Sequence, residues 1–343
     1  MGKKSTAKLK GLSFLRKALF NSKVKKRPIF LSHLITTRCN CSCPMCLWRD
    51  NNPDLEMSTV EVLNFYRDSA REGFVSTGIW GGEPLLRNDL EEILRGAHRA
   101  GLTTVLLTNG YYLEERLEEL SPWLDSVVLS LDYPGEEHDR MRGCPGLYQK
   151  VTRSVELLRS RHPHIKILVN CLLHRGNERN IPALADLVKE MGVSFYVCPV
   201  KAEELPGEGG RSVEGWEAEG EDEKEAVRQL LRLKKEGYPL NNSYTYLREF
   251  LGQKKPFTCH LPLVALLVRP DGEVVNCLDP ANPPGNVRKQ SVGQILRGAA
   301  YRKMRLGARE CQHCNNPNVV ETSYLWELRR EPLINALSVL SRR

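Results

Sequence analysis

Residues 39–46 read Cys39-Asn40-Cys41-Ser42-Cys43-Pro44-Met45-Cys46, four thiols in eight positions, and the fold follows from what flanks them. The run before them, 29–37, is apolar and rich in β-branched residues, the composition of a buried strand. The thiols therefore lie on the loop leaving the C-terminal end of that strand. Five further strand-like runs follow at 76–80, 103–108, 126–131, 165–173 and 194–200. Helical periodicity fills the gaps, at 58–72, 89–100, 113–120, 147–161 and 181–191. Six strands with five helical crossovers between them predict a parallel sheet, because parallel neighbours need crossovers of this length. Curled, that sheet is a partial barrel, and barrels of this kind gather their chemistry at the C-terminal strand ends.

The chain has 343 residues, of which 41% are hydrophobic, enough for one large domain and a smaller one. Its longest wholly apolar run, 263–268, is far below the roughly 20 residues that span a bilayer. The basic N-terminus lacks an apolar h-region, so a reducing cytoplasm is the default setting. There, eleven cysteines read as metal ligands rather than disulfides.

Charge is uneven. The first 49 residues carry twelve Lys or Arg and no acid, against 38 basic and 42 acidic residues in the remainder. Within this arm Leu9, Leu12, Leu15 and Leu19 recur at helical spacing, with Lys8, Lys10, Arg16 and Lys17 largely off the stripe. Two readings stand side by side: peripheral contact with an anionic membrane, or packing on the body with a solvated charged face. The basic run lacks interleaved aromatics, so no nucleic-acid partner is expected. The resulting division is an arm at 1–27, a barrel at 28–202, an acidic linker and helix at 203–255, a cysteine-bearing region at 256–320 and a terminal helix at 321–343.

Cys39, Cys43 and Cys46 form a C-x3-C-x2-C triplet. A structural zinc site wants four ligands, commonly in paired C-x2-C units, and fits this triplet poorly. Three thiolates on a 4Fe-4S cluster fit better, since one iron stays open to a substrate or cofactor. Cys41, inside the x3 gap, is not expected to be a ligand.

With that triplet the chain resembles the radical S-adenosylmethionine superfamily, which places it after the first strand of a partial (β/α)6 barrel of the TIM type. Gly81-Gly82-Glu83-Pro84 after the second strand, Thr108-Asn109-Gly110 after the third and Ser130-Leu131-Asp132 after the fourth follow the family pattern, with Arg142-Gly143 beyond. The resemblance implies a 4Fe-4S cluster on Cys39, Cys43 and Cys46, with Gly81, Gly82 and Glu83 near the methionine ammonium of S-adenosylmethionine. It further implies Ser130 and Arg142 at the ribose and carboxylate, and Asn170 and the backbone near Val200 at the nucleoside. The residue before the third cysteine, often aromatic in the family, is Met45 here. The implied chemistry is a one-electron cleavage to a 5'-deoxyadenosyl radical, which abstracts hydrogen from a substrate the motifs do not identify. An electron donor such as a flavodoxin or ferredoxin is the implied partner.

Cys259, Cys277, Cys311 and Cys314 form a second set. Asp271-Gly272 predicts a hairpin turn between two short strands, giving a small α+β extension. On chemistry alone, four thiolates suit zinc or an iron-sulfur cluster equally. The wider pattern, Gly285-Asn286-Val287 followed by Cys311-x2-Cys314, is similar to the SPASM and shorter Twitch extensions of the superfamily and implies one auxiliary 4Fe-4S cluster. That cluster would relay electrons or tie the extension together. Cys144, Cys171 and Cys198 read as buried small residues, and His33, Tyr133, His138 and His174 are placed near the mouth. The substrate is left between a membrane- or lipid-linked molecule at the inner membrane surface and a soluble alcohol, sugar or peptide. A non-catalytic iron-sulfur protein would need these motifs broken, and they are intact.

Overall fold

A computed structural model describes residues 23–46, 52–200, 215–252, 257–311, 314 and 316–334. The leucine stripe at 9–19, most of the acidic linker and the last nine residues lie outside the described residues. The barrel strands are β1 (Phe30–Thr36), β2 (Ser76–Gly81), β3 (Thr103–Thr108), β4 (Ser126–Ser130), β5 (Lys166–Leu173) and β6 (Ser194–Pro199). Between them run α1 (Thr59–Glu72), α2 (Leu90–Arg99), α3 (Leu113–Leu120), α4 (Glu137–Arg142), α5 (Leu147–Arg161) and α6 (Ile181–Glu190). All strands are parallel and ordered β6-β5-β4-β3-β2-β1, a half-barrel as the alternating pattern predicts.

A seventh strand, β7 (Ala265–Val268), extends the sheet by pairing parallel to β1. The sequence places this segment in an independent extension. Asp271-Gly272 does make the expected turn, with Arg269 N–H on Glu273 O at 2.9 Å and Gly272 at φ +83°. The returning arm, however, is a single bridge between Val268 and Val274. The strand closes the barrel edge instead of building a small sheet. The rest is helical: α7 (Gly220–Lys235), α8 (Tyr244–Phe250), α9 (Leu261–Val264), α10 (Val292–Arg297), α11 (Ala299–Ala308) and α12 (Pro317–Trp326). Among the described residues no helix is long and apolar enough to cross a membrane.

Strand alternation divides the side chains into two sets. Ile79, Leu106, Val127, Leu129, Val169, Cys171 and Phe195 are fully buried against the helices and form one continuous core. His33 belongs to this set. Its Nδ1 lies 2.8 Å from the Tyr66 hydroxyl on α1, which removes it from the mouth. The opposite set faces the barrel interior: Ser32, Trp80, Leu107, Ser130, Asn170 and Tyr196. Trp80 Nε1 donates to Ser32 Oγ at 2.9 Å across this face.

Candidate active site

The cysteine loop leaves β1 under tight backbone control. Gly82 N–H donates to Thr36 O at 2.8 Å and Glu83 N–H to Arg38 O at 2.7 Å, laying the β2 exit flush against the β1 exit. A Cβ on Gly81 would stand 2.2 Å from Thr36 O, and one on Gly82 2.2 Å from Arg38 O. The glycines are thus required by this backbone contact, which a side chain would break. Below it Glu56 binds Arg38 through both oxygens, at 2.8 and 3.0 Å, and the buried Arg87 at 3.2 Å. Arg87 also donates to Ile35 O and Met57 O. Neither Glu56 nor Arg87 carries a motif, and sequence reasoning passes over both.

Glu83 is drawn into the interior of the fold. It is 0% exposed, and its carboxylate accepts from Leu85 N–H at 2.9 Å, Thr108 Oγ1 at 2.7 Å and Asn109 N–H at 2.8 Å. Burial pushes its pKa up to about 7 against these hydrogen bonds. With its oxygens so engaged, Glu83 clamps the β2 exit to the β3 exit.

Arg142 also sits deeper than the motif implies. Its Nε and Nη2 lie 2.8 Å from Asp132 Oδ2, while Asp132 Oδ1 accepts Leu172 N–H at 2.8 Å. Asp132 is 0% exposed, so removing Arg142 would strand a buried carboxylate, a change worth about 3–5 kcal/mol. From this anchor Arg142 O accepts Ser42 N–H at 2.9 Å, docking the end of α4 on the cysteine loop. His138, wholly buried, accepts Asp132 N–H through Nδ1 at 3.2 Å. Burial and then the Arg142 charge hold it neutral, at a pKa of about 4.

The thiols respond to one another and to this charge. Hydrogen bonding from Cys41 lowers the pKa of Cys39, and lowers that of Cys43 to about 6, where Arg142 adds to the effect. Cys41 moves the other way, remaining a protonated donor between them. Cys144, buried as expected, accepts from Asn40 Nδ2 at 3.6 Å. Met45 and Val200 pack together beside Cys43, Met141, Leu172 and Trp216. The Trp216 ring faces His174, which stacks obliquely on Tyr133, so these two lie at the β4–β5 end of the mouth.

The donor chemistry fits a cluster and a nucleoside. Two thiols are biased toward thiolate, the form that binds iron. Ser130 and Asn170 are register partners on adjoining strands, and Asn170 Oδ1 is buried without a partner among the described residues. An unsatisfied buried acceptor costs about 1–3 kcal/mol, which a hydroxyl or amino group bound there would recover. Among the described residues no three His, Cys, Asp or Glu side chains converge on a single-ion site. Cluster thiolates each bind a different iron and need no such convergence.

Residues 34–192 match the Radical SAM superfamily, and residues 259–315 match SPASM, an iron-sulfur cluster-binding domain. The chain belongs to the radical SAM superfamily. The PqqA peptide cyclase of Granulibacter bethesdensis is 28% identical over 49% of this chain and 46% of its own. The AdoMet-dependent heme synthase of Methanosarcina barkeri is 31% identical over 49% of each. The chain spans about half the length of these curated relatives. Its fold superposes on Streptococcus suis SuiB, bound to precursor peptide SuiA, with TM-score 0.66, 15% identity and coverage of 84% of this chain and 69% of that one.

The radical SAM domain binds a 4Fe-4S cluster and S-adenosylmethionine, and SPASM domains bind further iron-sulfur clusters. The SPASM match opens at Cys259 and ends one residue past Cys314. Within it Cys259, Cys277 and Cys311 are close enough to sense one another. The Cys259 thiol is pushed up to about 11 by burial and then by the two neighbouring thiols. Such mutual repulsion is the condition a metal group relieves.

Proposed function

We propose that this radical SAM enzyme cleaves S-adenosylmethionine reductively and removes a hydrogen atom from a substrate entering at the C-terminal strand ends. Cys39, Cys43 and Cys46 hold the 4Fe-4S cluster, and Cys259, Cys277, Cys311 and Cys314 hold one auxiliary cluster. Bound at the triplet and reduced by a flavodoxin- or ferredoxin-type donor, the first cluster would supply the single electron for cleavage of S-adenosylmethionine. Gly81 and Gly82 present backbone to the methionine ammonium, Ser130 and Asn170 take the nucleoside, and Arg142, anchored by Asp132, faces the carboxylate. The observation that carries this reading is the interlock of the β1, β2 and β3 exits through Glu83 and paired backbone hydrogen bonds. Such preorganisation supplies most of what a protein adds to a reaction run by its cofactors. The test is anaerobic: reconstituted enzyme with S-adenosylmethionine and reductant is assayed for 5'-deoxyadenosine, with and without soluble or membrane-lipid extracts. No release under any condition overturns the proposal.

Replacing Cys311 and Cys314 together with serine is expected to lower iron from about eight to about four per chain, leaving the cluster at the barrel intact. Unchanged iron with loss of zinc would return the second set to the zinc reading.

A second reading, that the substrate is met at an anionic membrane surface, is favoured by how the two ends of the body meet. Lys23 donates to Trp326 O and lies 4.2 Å over the Trp326 ring, which places this described residue of the basic arm at the end of α12. In the two chain segments that carry this contact, Val24, Leu328 and Ile334 are 66%, 50% and 52% exposed, and the cations Lys26 and Arg330 are exposed too. Apolar contact plus about 1 kcal/mol per cation near an anionic surface suits peripheral binding. Cosedimentation with phosphatidylglycerol vesicles is expected, weakened at least tenfold by Val24→Glu with Leu328→Glu. Equal binding to phosphatidylcholine vesicles, or none to either, would restore the soluble-substrate reading.

A further inference from the structure

We infer that Asn109, at the β3 exit, is a hydrogen-bond donor to the sulfurs of the cysteine loop that raises the reduction potential of the cluster bound there; this rests on the ligand assignment above. Asn109 is 6% exposed and every part of it is engaged. Its N–H donates to Glu83 Oε2 at 2.8 Å and its Oδ1 accepts Tyr111 N–H at 2.9 Å, which fixes the plane of the carboxamide. One proton of Nδ2 goes to Asn40 Oδ1 at 2.8 Å. The other faces sulfur, with Cys41 Sγ at 3.2 Å and Cys39 Sγ at 4.0 Å.

Cys39 Sγ also accepts Cys41 N–H at 3.4 Å, while the Asn109 carboxamide, closest to Cys41, reaches Cys39 as a longer dipole at 4.0 Å. A reduced cluster carries one more negative charge than the oxidised one, spread over its sulfurs. Donors aimed at those sulfurs stabilise the reduced form more, and hydrogen bonds to sulfur are among the determinants of cluster potential. Outer-shell partners of metal ligands act in this way generally, orienting the ligand and tuning the metal. Glu83 completes the device: the carboxylate that joins the β2 and β3 exits also holds Asn109 in place. Asn109 is thus a positioning residue acting through the ligand loop.

The test is a potentiometric titration of the barrel cluster, followed by its reduced-state EPR signal, in enzyme whose auxiliary cluster is kept. Asn109→Leu, matched in size and lacking the donor, is expected to leave about tenfold less cluster reduced at a fixed poise, equivalent to about 59 mV for one electron. Asn109→Asp, which replaces the donor with an acceptor, is expected to shift it further in the same direction. Full iron content with an unchanged midpoint in both variants would overturn the inference and leave the ligand assignment standing. Absence of the EPR signal in the wild type would overturn the assignment itself. If neither variant loads iron, wild-type enzyme carrying 15N-asparagine decides. A weak hyperfine coupling from a labelled nitrogen to the reduced cluster is expected, and its absence overturns the inference.

Discussion

Alanine at Cys39, Cys43 or Cys46 is expected to abolish 5'-deoxyadenosine formation and to remove about four irons per chain. The size of the effect follows from chemistry: each thiolate binds one iron, and the site offers only three. Cys41→Ala is the informative contrast. Cys41 lies among the same sulfurs, yet its thiol is held protonated while those of Cys39 and Cys43 are drawn toward thiolate. Iron should therefore be retained in Cys41→Ala. If Cys41→Ala loses the cluster while one of the other three keeps it, the triplet has been misread.

Gly82→Ala is expected to slow 5'-deoxyadenosine formation by about 10²-fold, the order that follows from misplacing a reacting centre by about 1 Å. The new Cβ would meet Arg38 O at 2.2 Å and Thr37 O at 2.7 Å, both backbone atoms that cannot swing aside. The β1 exit must move, and Cys39 is the next residue along it. Gly101→Ala separates this effect from simple backbone strain. Gly101 has φ +86°, but a Cβ there meets nothing within 4 Å, so only the conformational cost of about 1 kcal/mol applies. A normal rate for Gly82→Ala with full iron would show that the loop contact does not require a glycine there.

Much of this was legible in the chain as written. The six barrel strands and five of the helices fall within a few residues of the apolar runs and periodic stretches that announce them. Parallel order follows from the crossovers alone. The C-x3-C-x2-C triplet, the Gly81–Glu83 segment and the second cysteine set could be read because local spacing and residue type carry their meaning.

What escaped the sequence shares a cause. The buried hydrogen bonds of Glu83 had no local signal, because its partners Thr108 and Asn109 are brought to it by a neighbouring strand. The motif placed Arg142 but not its buried partner, since its pairing with Asp132 depends on where α4 turns back over β4. Glu56 and Arg87 have no signature, since a buried ion network is defined by which backbone carbonyls lie within reach. The strand at 265–268 was legible as an apolar run, but its pairing with β1 instead of its own hairpin partner was decided by the open barrel edge.

The sequence by itself determined the family, the order of elements and which thiols stand in sets, because periodicity and spacing are properties of the chain. The tertiary structure decided which polar groups face a ligand and which face one another. That choice is set by burial: a charge or amide taken out of water must find its partner in three dimensions, and no local pattern names it.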